Sequence, residues 1–350
     1  MKPLGIGIIG CGSIAMTAHI PALLEIDTGG RLVAVSDIDE TRFSTLREKL
    51  GLNTCYHDYN DLLSNPLVEG VIICLPTDLH LEATVAAAKA GKHILLEKPI
   101  ANTREDADQI IDVVRSYGVK LSVGHVRRLI PQYEKLKTYI DAGLLGDLFA
   151  LRAEVNTDWP LEGWRSEQLR VGPGVYLDFL IHDLDSLLWL GGDIAEVYAL
   201  GTRIPHRELE METSLAAVFR FTSGALGSLT WNLSACGFGP PNFREKLEAY
   251  GTSGTVFADL KTGDLDISFR HMGIPSNLAL DGLVHTNVGS TFSADAQLNR
   301  RQVFSRQLKL FVKSVVEGTD PYVTGDQARE ALCVALAIAE SLRTRAPVLL

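Results

Sequence analysis

Residues 4–9 form an apolar run that ends directly in Gly10-Cys11-Gly12-Ser13-Ile14-Ala15, and this junction constrains the chain more than any other feature in it. A strand closed by G-x-G-x-x-A needs a tight turn at the first glycine. It also needs close backbone approach at the second, and a small residue where the next helix crosses the sheet. A helix that opens there turns its unpaired N–H groups toward an anion. The pattern predicts a strand–turn–helix that holds the pyrophosphate of a dinucleotide on Gly10, Gly12, Ser13 and Ile14. Taken alone, such a hexapeptide can be a plain tight turn. Its place at the head of a βαβ series gives it weight.

That series alternates apolar runs at 4–9, 32–36, 70–75, 93–96 and 120–123 with helical stretches at 78–90 and 104–117, which Gly91 and Gly118 close. An α/β, doubly wound parallel sheet of Rossmann type is expected over 1–125. Asp37 ends the second run, where a carboxylate can accept hydrogen bonds from ribose hydroxyls. A 2′-phosphate there would meet a like charge, a repulsion of about 4 kcal/mol at roughly 4 Å and an effective dielectric near 20. Asp39 adds negative charge, Arg42 is a cation one turn away, and Asp37 could instead cap a helix. The balance selects NAD over NADP.

Ligands of open α/β sheets bind beyond the carboxyl ends of the strands. That rule brings Leu75, Pro76, Thr77 and His80, then Glu97 and Lys98, to the cofactor, with Lys98 also facing substrate. A lysine just past a strand is ordinarily a solvated loop charge. Here Pro99 stiffens the backbone after it and Glu97 supplies an anionic neighbour.

From residue 126 onward the texture changes to β-type stretches at 148–157, 196–204, 213–222, 225–234, 246–260 and 265–270, with a turn at 222–224 that implies antiparallel neighbours. A C-terminal α+β domain on a large, mostly antiparallel open sheet is expected over 126–323. Residues 324–350 are expected to form a helix and tail that pack back on the Rossmann domain. A helix at about 174–190 carries Asp178, His182 and Asp185 on one face. A solvated helix face explains that spacing equally well. However, Leu177, Phe179, Leu180, Ile181, Leu184 and Leu187 surround it with apolar side chains, and buried charges need a partner or a purpose. Residues 271–294 show no period and read as a long loop: a lid, a contact surface or a solvated linker.

Composition removes other classes. A net charge of −10 opposes binding to nucleic acid, which requires a basic surface. Five scattered cysteines (Cys11, Cys55, Cys74, Cys236, Cys333) fit neither a disulfide framework nor a zinc site, so no metal is expected. No apolar run approaches the roughly 18 residues of a membrane span, and the cytoplasm is the expected compartment.

Together, Gly10 to Ala15, Glu97-Lys98-Pro99, Trp164-Arg165, then Gly172, Gly174, Asp178, His182 and Asp185, with Gly325-Asp326 ahead of the last helix, resemble the glucose-fructose oxidoreductase and inositol dehydrogenase family essentially end to end. The resemblance implies hydride transfer between NAD(H) and a secondary hydroxyl of a sugar, sugar acid or inositol. It makes Lys98 the group that orients the reacting hydroxyl, Asp178 a hydroxyl ligand and His182 the general acid/base. A histidine suits the task, since hydride leaves a carbinol only as the hydroxyl proton departs. By the same resemblance Arg128 lies near substrate with His125 beside it, the Lys98–Pro99 peptide is cis, and the C-terminal sheet builds a homodimer or homotetramer; Trp164 and Arg165 are substrate candidates that core or interface would explain equally well. Trp159 and Tyr176 are pocket, core or interface.

Two departures, Gly172-Pro173-Gly174 and Leu180, bear on pocket shape. Two alternatives stay open. Gly124-His125-Val126-Arg127-Arg128 resembles a stretch of UDP-N-acetylhexosamine oxidoreductases, and arginines suit a pyrophosphate. Some relatives bind the cofactor as non-catalytic regulators, against which the retention of both Lys98 and His182 argues.

Overall fold

The structure, a computed structural model, describes residues 3–25, 29–158, 175–203, 212–233, 235–237, 243–269, 283–287 and 296–350. Of these, 3–126 and 300–332 form one compact unit, and 127–299 with 333–350 form a second.

The first unit is a six-stranded parallel sheet in the order β3-β2-β1-β4-β5-β6. Its strands are β1 (Leu4–Ile9), β2 (Gly30–Ser36), β3 (Cys55–Tyr56), β4 (Gly70–Ile73), β5 (His93–Leu96) and β6 (Leu121–Val123). β1 and β4 are buried at every position, as strands covered on both faces must be. The order reverses beside β1, the switch point where such sheets open a crevice. Helices α1 (Ile20–Leu23), α2 (Thr41–Leu50), α3 (Tyr59–Leu63), α4 (His80–Lys89) and α5 (Arg104–Ser116) complete the repeats.

Helix α5 shows how the sequence sets these pieces. Thr103 caps it by accepting the Asp106 N–H at 3.1 Å, two acids occupy the first turn, and Gly118 with φ 64° ends it. Its stripe of Ala107, Ile110, Ile111 and Val114 is buried, at roughly 1.5–3 kcal/mol for each large side chain. Ile110→Ala would therefore cost about 2–5 kcal/mol, against about 1 kcal/mol for Thr103→Ala.

The second unit holds nine strands in the order β14-β13-β12-β11-β7-β10-β9-β8-β15. These are β7 (Leu148–Asn156), β8 (Ile194–Thr202), β9 (Ser214–Phe221), β10 (Leu226–Asn232), β11 (Arg244–Gly251), β12 (Gly254–Asp259), β13 (Asp264–Phe269), β14 (Leu283–Asn287) and β15 (Val348–Leu349). Every described pairing is antiparallel except β7 with β10. Side chains alternate: on β9 Leu215, Ala217, Phe219 and Phe221 are buried while Ala216, Val218 and Arg220 face solvent. Helices α6 (Pro131–Asp141) and α7 (Val175–Gly191) belong to the same unit.

Two differences from the sequence expectation have physical causes. The stretch 246–260 is a hairpin, β11 and β12, because Thr252 and Ser253 turn the chain where continuous alternation concealed a break. The tail does not return whole to the first unit. Helix α8 (Ala296–Glu317) from Arg300 onward and the start of α9 (Gly325–Thr344) group there, where Asp326 pairs with Arg115 and Arg329 with Asp108. Residues 333–350 group with the second unit, because β15 adds antiparallel to β8 and the Ser341 hydroxyl accepts the Ala199 N–H at 2.9 Å. Of the 271–294 loop, only strand β14 lies within the described residues.

Candidate active site

In the first unit the strand–turn–helix forms as its residues demand. Gly10 adopts φ 90°, and a Cβ there would stand 2.6 Å from the Cys74 carbonyl oxygen, so only glycine fits. Gly12 is the opposite case: the sole atom within 4 Å of an added Cβ is Arg42 Nη1 at 3.8 Å. The turn therefore leaves open space over Gly12 for a close-lying group. Ala15 is fully buried and lets the helix approach the sheet. From Ala15 to His19 that helix takes a π-helical turn before α1.

Asp37, 8% exposed, is tied to this turn. Its Oδ2 accepts the Cys11 N–H at 2.6 Å and Arg42 Nη1 at 2.9 Å, and its Oδ1 accepts the Asp39 N–H at 2.9 Å. It does not cap α2, since Asp39 is the residue that accepts the Thr41 N–H. The carboxylate beside the glycine turn, the open space over Gly12 and the helix start together fit a dinucleotide whose ribose lies on Asp37 and whose pyrophosphate lies over the turn.

The next strand ends carry the remaining residues of this unit. Leu75 and Pro76 follow β4, and Thr77 is buried. His80, expected at the cofactor, sits behind the strand ends. It is fully buried, with Nδ1 2.9 Å from the Pro99 carbonyl oxygen and Nε2 3.0 Å from that of Leu75. Burial lowers its pKa while the facing carbonyls oppose that, and the neutral ring donates to one carbonyl at a time. Glu97 is buried and takes a hydrogen bond between its Oε1 and His19 Nε2 at 2.7 Å. Lys98 is half-buried, and its peptide bond to Pro99 is cis, as the resemblance implied. His125 is 1% exposed.

In the second unit, Asp178 is buried and His182 half-buried one helical turn along α7. Asp185 is fully buried and leaves their stripe to form a bidentate pair with Arg128, at 2.8 Å to Nε and 2.6 Å to Nη2. Arg128, expected near the substrate, is 3% exposed, and its guanidinium also lies 5.7 Å from the Trp189 ring centroid. Its neighbour Arg127 bonds Asp183 and, at 2.9 Å, Glu245, which in turn accepts the Tyr133 hydroxyl at 2.6 Å. Burial and the charge of Glu245 push the Asp183 carboxyl up to about 7, although Arg127 opposes them. These partners escaped the sequence reading. The available signal was charge inside an apolar helix, which announces a partner without naming it. Trp159, Trp164, Arg165, Gly172, Gly174 and the side chain of Tyr176 lie outside the described residues.

Among the described residues no helix is long and apolar enough to cross a membrane, and no cluster of His, Cys, Asp and Glu could hold a metal ion.

Residues 4–125 match the model of an oxidoreductase family with an NAD-binding Rossmann fold, and residues 133–257 match the GFO/IDH/MocA C-terminal domain. The chain is similar to myo-inositol 2-dehydrogenase of Thermotoga maritima, with 31% identity over 98% of this chain and 97% of that one. It is also similar to scyllo-inositol 2-dehydrogenase (NAD(+)) of Bacillus subtilis, with 27% identity over 97% and 94%. A Thermotoga maritima crystal structure superposes with TM-score 0.80 at 30% identity, over 99% of this chain and 98% of that one. The chain belongs to the GFO/IDH/MocA family of NAD-binding oxidoreductases.

Proposed function

We propose that this NAD-dependent oxidoreductase transfers hydride between the nicotinamide and a secondary hydroxyl of a cyclitol or closely related sugar, inositol first among them. The observation that carries the reading is the end-to-end similarity to inositol 2-dehydrogenases in a chain that keeps Lys98, Asp178 and His182. Bound NAD supplies the hydride acceptor. The chain's own residues manage the proton and the alignment. His182 removes the hydroxyl proton as the carbinol becomes a carbonyl and returns it in reduction. The Lys98 ammonium hydrogen-bonds the same oxygen and stabilises the charge that develops on it. Asp178 accepts a hydrogen bond from a neighbouring hydroxyl and so fixes which carbon reacts.

In this reading the first unit serves the cofactor, and the second serves substrate and assembly. The nucleotide-sugar alternative weakens because Arg127 and Arg128 are committed to buried carboxylates. Assembly as a homodimer or homotetramer through the large sheet is supported by its outward side, where Leu200, Val218, Leu226 and Phe257 are 40–57% exposed. The five scattered cysteines support a cytoplasmic enzyme. The reading is tested by NADH formation across inositol isomers, hexoses, sugar acids and UDP-sugars. Turnover confined to UDP-sugars would overturn it.

A further inference from the structure

We propose that His19, a residue beyond the predicted site, is a positioning residue: by gripping Glu97 it fixes the backbone that carries Lys98. The proposal rests on the reading of Lys98 given above and extends it to a residue that need touch neither cofactor nor substrate.

His19 ends the π-helical turn that follows the dinucleotide loop, an irregularity often found at functional sites. It is 2% exposed, and its Nε2 lies 2.7 Å from Glu97 Oε1. The Phe304 ring meets it edge-on, with centroids 5.0 Å apart, and limits its rotation. Glu97 closes the arrangement. Its Oε2 accepts the Lys98 N–H at 3.2 Å, and a Cβ on Gly124 would stand only 3.2–3.3 Å from the carboxylate atoms. The carboxylate is therefore packed under the Gly124 backbone, with His19 on one oxygen and the Lys98 peptide on the other. Burial alone would raise its pKa, but the His19 hydrogen bond and the charge of Lys98 outweigh that and keep it ionised. His80 holds the far side of the segment through the Pro99 carbonyl.

The backbone of 97–99 thus lies against two buried histidines from two helical segments. Loss of the His19 contact would leave a buried carboxylate short of a partner, free to turn and to drag Lys98 with it. A displacement of about 1 Å at a reacting group can cost on the order of 10²-fold in rate.

The experiment compares His19→Ala, His19→Gln, Lys98→Met and the double variant His19→Ala/Lys98→Met in the full-length enzyme. Readouts are kcat and KM for inositol, NADH affinity by fluorescence, and Tm. His19→Ala is expected to lower kcat by roughly 10- to 100-fold with NADH affinity within about threefold of wild type. His19→Gln keeps an N–H donor and is expected to recover most of that loss. In the double variant His19→Ala should add little to Lys98→Met. Three results overturn the proposal: unchanged kcat in His19→Ala, parallel loss of NADH affinity and kcat, or fully multiplicative losses beside an impaired Lys98→Met. Full activity of Lys98→Met alone would instead overturn the role of Lys98 itself. Should His19→Ala not fold, His19→Leu, which fills the space but carries no N–H, provides the same comparison, with loss of kcat at unchanged NADH affinity expected and wild-type kcat contradicting it.

Discussion

Replacing Asp37 by alanine should erase most of the enzyme's preference for NAD over NADP. Its carboxylate is 8% exposed and anchored by the Cys11 and Asp39 amides, so it cannot swing away from a 2′-phosphate. Within about 4 Å, at an effective dielectric near 20, each unit of phosphate charge costs about 4 kcal/mol against it. Arg42 offsets part of this, with its Nη1 2.9 Å from Asp37 Oδ2 and its Nε 3.3 Å from Asp39 Oδ2. The three side chains sum to about one negative charge, and the 42% exposure of Arg42 screens its share. A net discrimination of roughly 2–4 kcal/mol remains, or about 30- to 1000-fold in the ratio of kcat/KM for NAD to that for NADP. Asp37→Ala removes the repulsion together with the ribose hydrogen bonds proposed for this carboxylate, so the ratio should fall by at least about 30-fold, mostly through KM. Arg42→Ala should move it the other way. Steady-state kinetics with both cofactors provides the assay. An Asp37→Ala enzyme with an unchanged ratio, or a wild type indifferent to the 2′-phosphate, would refute the reasoning.

His182→Ala should lower kcat by roughly 10²–10⁴-fold with NADH affinity retained, measured by initial rates and fluorescence titration; an unchanged rate would remove it from the chemistry. Arg128→Met leaves Asp185 buried without its bidentate partner and should cost about 3–5 kcal/mol by urea unfolding. A folded Arg128→Met enzyme whose only defect is a higher substrate KM would restore Arg128 to the substrate. The Asp183 carboxyl, raised from 3.8 to about 7, gives a signed pH effect. Between those values the folded chain holds a proton that the unfolded chain has released, so Asp183 makes stability fall as pH rises through the window and level off above it. Asp183→Asn should flatten that slope in urea midpoints across the same range, and an unaltered slope would contradict the assignment.

What could be read from the sequence was whatever local chemistry enforces. The glycine turn, Asp37 at a strand end and the alternation of β9 each follow from a few adjacent residues. The helix with Asp178 and His182 could be placed by spacing. The partners could not be read, because pairing is a matter of tertiary distance: Arg127 and Asp183 are 56 positions apart, and Tyr133 and Glu245 are 112 apart. The two carbonyls beside the His80 ring are likewise brought together only by the folded loops after β4 and β5. The same limit hid His19, whose partner lies 78 residues away.

A crystal structure of the enzyme with NADH and myo-inositol tests the central claim most directly. Lys98 Nζ and a ring nitrogen of His182 should both lie within hydrogen-bond distance of one inositol hydroxyl, with its carbon against the nicotinamide C4. A bound inositol whose hydroxyl nearest C4 is touched by neither side chain would contradict the account.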